Sequence, residues 1–281
     1  MKKTKQRPAP LPGPRQAMRE KPMVATVYFL LRFSVILVMV AQFFNKNFEN
    51  VFLCVLTLIL LLLPAMLERS LRIQLPDTLE IIILLFIYAA EILGEIREFY
   101  TTFQGWDTML HTLNGFLCAA IGFSLVDLFN RNERFSLSLS PAFMAIVAFC
   151  FSMTIGVLWE FFEFFMDSFF GMDMQKDTVV HAIHSVTLDP TRTNQVVTIS
   201  GITDTAVNGE SLGLGGYLDI GIIDTMKDLF VNFLGALVFS VSGYFYARSR
   251  GKKKSPALNF VPTRKTPEQD YLQQAQEEEQ P

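Results

Sequence analysis

Asp107 and His111 stand four residues apart, Glu160 and Glu163 three apart, and Asp224 and Asp228 four apart. On a helix each of these spacings puts both side chains on one face, a turn from each other. Carboxylates gathered with a single imidazole suit a divalent cation, Mg, Mn or Zn by ligand hardness. An ion held by these six residues would activate water or steady a phosphate, with Asp107, His111 or Glu160 carrying the proton. Polar side chains continue the same faces: Asn114 follows His111, Asn232 follows Asp228, and Glu91, Glu95 and Glu98 form a further stripe. From Asp224 to Asn232 the stripe is about 12 Å long at 1.5 Å per residue. The bland alternative is a proton-sharing carboxylate cluster that, with Arg97 and Lys227, only holds helices together. The pattern is neither Glu-x-x-His nor His-Glu-x-x-His, so the spacing alone names no metal enzyme.

These residues sit in long apolar runs. The chain has 281 residues, 51% hydrophobic and 18% charged, and its apolar residues are gathered into runs near the roughly 20 residues that cross a bilayer. Spans are expected at about 24–44, 51–67, 79–97, 107–129, 141–167 and 224–247. Pro141 at a first helical turn is compatible with the fifth. The fold class expected is an all-α membrane protein, a six-transmembrane-helix bundle with a small β-hairpin-like extracytoplasmic insertion. Its parts are a basic, Pro-rich, disordered cytoplasmic tail at 1–22, five spans in 23–167, a loop at 168–223, the sixth span, and a disordered cytoplasmic tail at 248–281. A net charge of -3 and the lack of a basic patch exclude nucleic acid as a partner.

Orientation follows from Lys and Arg. With both termini inside, 18 of the 24 fall in cytoplasmic segments. Lys46, Arg97, Lys176, Arg192 and Lys227 lie outside, and Arg32 lies within snorkelling reach of the inner surface. All four carboxylate-bearing stripes then fall in the outer half of the bilayer. There an ionisable group costs at least ~2.5–3.5 kcal/mol at mid-depth unless it is paired or faces the bundle interior. The first apolar run follows a basic tail and has no small-residue cleavage site, so it reads as an anchor. Cys54, Cys118 and Cys150 have neither zinc-site spacing nor a disulfide framework.

In the long loop, Val196–Ile199, Tyr217–Ile220 and Ser185–Leu188 are β-prone, separated by turn signals at Asp189-Pro190-Thr191 and Asn208-Gly209. A β-hairpin or three-stranded flap is expected there. His181 and His184 would pair on a metal only if that stretch were helical; otherwise they are water-facing loop residues.

The run Phe99-Tyr100, Gly105-Trp106-Asp107, His111 and Gly115 is joined by Trp159-Glu160-Phe161-Phe162-Glu163. Asp224-Thr225-Met226-Lys227-Asp228 follows, with Asn232 and Gly235-Ala236. Together with Leu75-Pro76 these residues resemble the YjdF-like family of bacterial inner-membrane proteins over roughly residues 50–247. A looser similarity is to VanZ-like proteins, which pair an Asp/His turn with a late Asp, Asn, Gly helix. The resemblance implies a multi-span bundle in a bacterial cytoplasmic (inner) membrane and carries no reaction or cofactor.

Three function classes stay open. A cation-dependent enzyme acting on a lipid or lipid-linked head group would use the stripes as its site and the loop as a lid. It would do so without a recognisable Ser or Cys nucleophile. A cation- or proton-coupled transporter would need a path through the inner halves, where comparable polar residues are missing, and no internal repeat is visible. A non-enzymatic scaffold would bind a partner through the outer loop.

Overall fold

The computed structural model describes residues 21–70, 73–130, 138–249 and 260–264. The described chain is mostly helical, 68%, with small strand pairs. It divides into two compact units, residues 1–153 with 232–281, and residues 154–231.

The first unit begins with α1 (Pro22–Phe44), whose proline occupies the N-terminal turn, where its missing N–H costs nothing. Asn45 to Asn47 make a tight connection, with Lys46 at φ 60°. Asn47 then caps α2 (Phe48–Leu60) by accepting the Asn50 N–H at 3.0 Å. After a kink at Leu61 and Leu62, α3 (Leu63–Ser70) completes the second apolar run. β1 (Ile73–Gln74) and Leu75-Pro76 lead into α4 (Asp77–Tyr88). Lys21 Nζ ties this region together, reaching Glu68 at 2.8 Å, Glu80 at 2.6 Å and the Leu75 carbonyl at 2.9 Å.

α4 continues as a π-helical segment, Ala89–Ile96, which carries Glu91 and Glu95. It stops where Glu98 takes a left-handed backbone, φ 58°. The expected unbroken stripe of three glutamates is therefore corrected. Its third member caps the short α5 (Phe99–Thr102), with its carbonyl accepting the Thr101 and Thr102 hydroxyls. α6 (Trp106–Asn130) follows Gly105, which is left-handed at φ 85°.

α7 (Pro141–Phe170) starts with Ser140 as its cap, and α8 (Ile222–Arg248) closes the helical set. One apolar core joins Val35, Cys54, Leu79, Leu84, Ile92 and Leu117. A second joins Ala119 and Phe123 of α6 to Met144, Ala148, Ala236 and Phe239, with Val261. Phe260 is packed against both cores.

Five helices among the described residues are long and apolar enough to cross a membrane: Pro22–Phe44, Phe48–Ser70, Trp106–Asn130, Pro141–Phe170 and Ile222–Arg248. Large apolar side chains on them are exposed, as lipid-facing helices require. The expected third span is an α-helix continued as a π-helix bearing four acids, Asp77, Glu80, Glu91 and Glu95, and is not among these five.

Most of both tails lies outside the described residues, so the expectation of disorder there is untouched. Lys21, Pro22, Arg248 and Ser249 are described at the ends of the helices, and Phe260–Arg264 beyond them. β8 (Thr263–Arg264) pairs antiparallel with β1, which corrects the reading of that stretch as solvated tail.

The second unit holds the loop. It contains three separate antiparallel pairs rather than one flap: β2 (Val179–Val180) with β7 (Tyr217–Leu218), β3 (Ala182–Ser185) with β4 (Val197–Ser200), and β5 (Ala206–Val207) with β6 (Glu210–Ser211). Asn208 and Gly209, at φ 54° and 88°, turn the last hairpin as their types require. The expected strand at Ser185–Leu188 lies one segment earlier, because Val186 to Asp189 close a turn through the Asp189 N–H to Val186 carbonyl bond. His181 lies in the bend between β2 and β3 and His184 within β3, so the helical spacing that would pair them on a metal is not formed. Each has its own local partner: His181 Nδ1 lies 3.0 Å from the Ile202 carbonyl, and His184 Nδ1 lies 2.9 Å from the Thr198 hydroxyl.

Candidate functional site

In the first unit, Asp107 lies in the opening turn of α6 and His111 one turn on, with Nε2 3.5 Å from the Asp107 carboxylate. His111 is buried and Asp107 partly so. A further turn down, Asn114 Nδ2 donates to Asn232 Oδ1 at 3.3 Å, and Cys118 Sγ approaches Asn114 Oδ1 at 3.4 Å. Asn232 is almost fully buried, and its own Nδ2 points at Met153 Sδ, 3.6 Å away.

Two glycines that spacing alone did not single out make this approach possible. A Cβ on Gly115 would overlap the Asn232 carbonyl, and one on Gly235 would overlap the Thr112 carbonyl. Ser152 then donates its hydroxyl to the Gly115 carbonyl at 2.7 Å. Contacts advance together along both helices: Asn114 with Asn232, Phe116 with Phe239, and Phe123 with Tyr246. α6 and α8 therefore run in the same direction at this crossing.

In the second unit, Glu160 and Glu163 are both buried on α7. Glu163 Oε1 accepts the Trp159 indole N–H at 2.8 Å, one turn back on the same helix. Asp228 is buried in the second turn of α8. The Asp224 carboxylate accepts the Lys176 backbone N–H at 2.8 Å. Asp167 likewise accepts the N–H groups of Met174 and Gln175, at 2.6 and 2.8 Å. Thr225 is tied to the same segment by Gln175, whose side-chain amide donates to its hydroxyl. Glu95 is exposed, as are Arg97, Glu98 and Lys227.

The loop carboxylates show the same habit more strongly. Asp219 accepts N–H groups from Thr178, Ile223 and Gly221, at 2.6, 2.8 and 3.3 Å. Desolvation works against its charge, but these donors outweigh it and hold its pKa below the ordinary carboxylate range. Asp189 is held lower still, first by the Thr191 hydroxyl and then by the N–H groups of Gln195, Thr191 and Thr193. Neither residue was singled out from sequence. For Asp189 the signal was present in Asp-Pro-Thr, a turn whose side chain caps the backbone that follows.

The family model described as "Predicted membrane protein (DUF2238)" matches residues 27–249. The chain belongs to this family. The match runs from α1 to the end of α8 and includes every candidate residue named above. DUF2238 membership agrees with five apolar spanning helices and attaches no reaction to them. Neither the curated proteins nor the solved structures include a match to this chain.

Proposed function

We propose that this DUF2238 protein binds a divalent cation through Asp107, His111 and Asp228 and uses it on a lipid or lipid-linked head group. The observation that carries the reading is the pairing of buried His111 with half-buried Asp107 at 3.5 Å, one turn before the Asn114–Asn232 contact. One turn back from Asn114 on α6 stands His111, and one turn back from Asn232 on α8 stands Asp228, because residues three or four apart share a helix face. Each of the three offers one ligand atom, an imidazole nitrogen or a carboxylate oxygen. That donor set suits Mg, Mn or Zn. Glu160 is the proton carrier of this reading, and Glu163 its orienting neighbour. Asp224, bound to the Lys176 N–H, drops out of the ligand set.

The setting belongs to the same proposal. The segment Asp77–Ile96 serves as a sixth span, which returns both termini to the cytoplasmic side and the long loop to the outer face of a bacterial inner membrane. The balance of Lys and Arg supports this orientation. The resemblance to YjdF-like proteins, and more loosely to VanZ-like ones, supports the bacterial envelope.

A second reading, a partner-binding scaffold, draws on the loop. Its six backbone ties at Asp167, Asp219 and Asp224 include four that hold residues 174–178, the start of the loop, in one conformation, as a recognition surface would need.

Metal analysis of detergent-purified protein separates the two. The cation reading expects near-stoichiometric Mg, Mn or Zn in wild type and loss in Asp107→Ala and His111→Ala. Equal, negligible metal in all three well-folded samples rejects it and favours the scaffold.

A further inference from the structure

Outside the candidate site, the most informative surface is the root of the long loop, where α7 ends and α8 begins. α7 has 30 residues, about 45 Å at 1.5 Å per residue, against a hydrocarbon core about 30 Å thick. A helix that long overhangs or tilts, and an overhang in water would be expected to turn polar. This one does not. Phe161, Phe165 and Phe169 form an exposed stripe at four-residue spacing up to the last turn, and Phe169 and Phe170 are 73% and 65% exposed. Gly171, left-handed at φ 64°, ends the helix, and the exposed Met172 follows.

The returning chain mirrors this. Ile222, Met226 and Phe230 make an exposed stripe at the same spacing on α8. Ile220 precedes it, 81% exposed, with a backbone φ of 56°. A β-branched residue in that region is strained. Glycine or asparagine would relieve the strain at a turn in water, where isoleucine gains nothing. Single exposed apolar residues need no explanation. Here Phe169, Phe170, Met172, Ile220 and Ile222 form a collar continuous with two lipid-facing stripes.

The polar groups of the same root are turned onto its backbone. Asp167 takes the Met174 and Gln175 N–H groups, Asp224 takes that of Lys176, and Asp219 takes those of Thr178 and Ile223. Internal satisfaction of backbone donors is what chain near hydrocarbon requires.

We infer that the collar is seated in the interfacial layer of the lipid bilayer, with the loop root at headgroup depth and the Asn208-Gly209 hairpin tip in water. Its partner is the phospholipid surface itself, contacted by Met172 and Ile220 as well as by the spanning helices. The inference is independent of any cation at His111 and of which side of the membrane the loop occupies.

Photo-cross-linking of the full chain in phosphatidylcholine–phosphatidylglycerol vesicles tests it. Benzoylphenylalanine would replace Phe161, Met172, Ile220 or Asn208 in separate samples, and lipid adducts would be read by intact mass. Phe161 is the positive control, and Met172, free of the positive φ, guards against a misfolded Ile220 variant. Adducts at Phe161, at Met172 and at Ile220, with none at Asn208, are expected. Adducts at Phe161 alone would place the collar in water and overturn the inference. Adducts at all four would overturn it by laying the whole loop on lipid, and none at Phe161 would remove its premise.

Discussion

In the long loop Asp189 and Asp219 each gather three backbone N–H groups, whereas on the helices Glu163 meets an indole and Asp107 an imidazole. The difference follows from what the backbone has left to give. In irregular chain the N–H groups are unspent, so a nearby aspartate collects them and is stabilised as an anion. Inside a helix they already bond the carbonyl four residues back. A helical carboxylate buried in an apolar setting must then find a distant side chain, a proton or a cation. By this comparison the loop acids are structural, and the proposed cation and proton chemistry is assigned to the helical acids Asp107, Glu160 and Asp228.

The largest blow to the helical side would be Gly115→Leu. The added side chain has no space against the Asn232 backbone, and overpacking of this kind costs about 1–3 kcal/mol, here at the upper end because backbone is what it meets. Thermal unfolding in detergent should show a clear fall in midpoint, and Gly235→Leu should match it. A variant as stable as wild type would mean that α6 and α8 do not cross so closely.

On the loop side, Asp219→Ala removes three acceptor contacts and should cost about 1–2 kcal/mol locally. Hydrogen exchange should speed up across 176–180 and 217–223 while the global unfolding midpoint holds. A global loss instead would erase the distinction between the two classes of acid.

The smallest effect expected is on pH. Asp189 and Asp219 have folded pKa values below the unfolded value of about 3.9. Their stabilisation is therefore complete above that value and is lost only as pH falls through the lower folded pKa. Exchange protection around 189–195, corrected for intrinsic rate, should stay level from neutral pH to about 4. Loss already complete by about pH 5 would contradict the hydrogen bonding described.

Much of this architecture was legible in the sequence because its signals are local. Apolar runs, Pro141, Asn208-Gly209 and the strands near Val197 and Tyr217 all declare themselves within a few residues. What stayed hidden depends on partners far along the chain. Nothing local reveals that Asp224 accepts the N–H of Lys176, 48 residues earlier. The pairing of Thr263–Arg264 with Ile73–Gln74 is hidden for the same reason. The π-helical turn at Ala89–Ile96 shifts the glutamate stripe without any proline or glycine cluster to announce it. Gly115 and Gly235 were visible as residues, but their purpose appears only once the two helices touch.

The central claim is that Asp228, not Asp224, is a cation ligand, although one turn of the same helix separates them. Calorimetric titration of Mn²⁺ into detergent-solubilised wild type, Asp228→Asn and Asp224→Asn tests this directly. The account predicts that Asp224→Asn binds nearly as wild type does. Asp228→Asn should lose binding by about 100-fold or more, beyond the roughly 10- to 100-fold typical of an outer partner. Equal weakening in both variants, or no Mn²⁺ binding by the wild type, would contradict it.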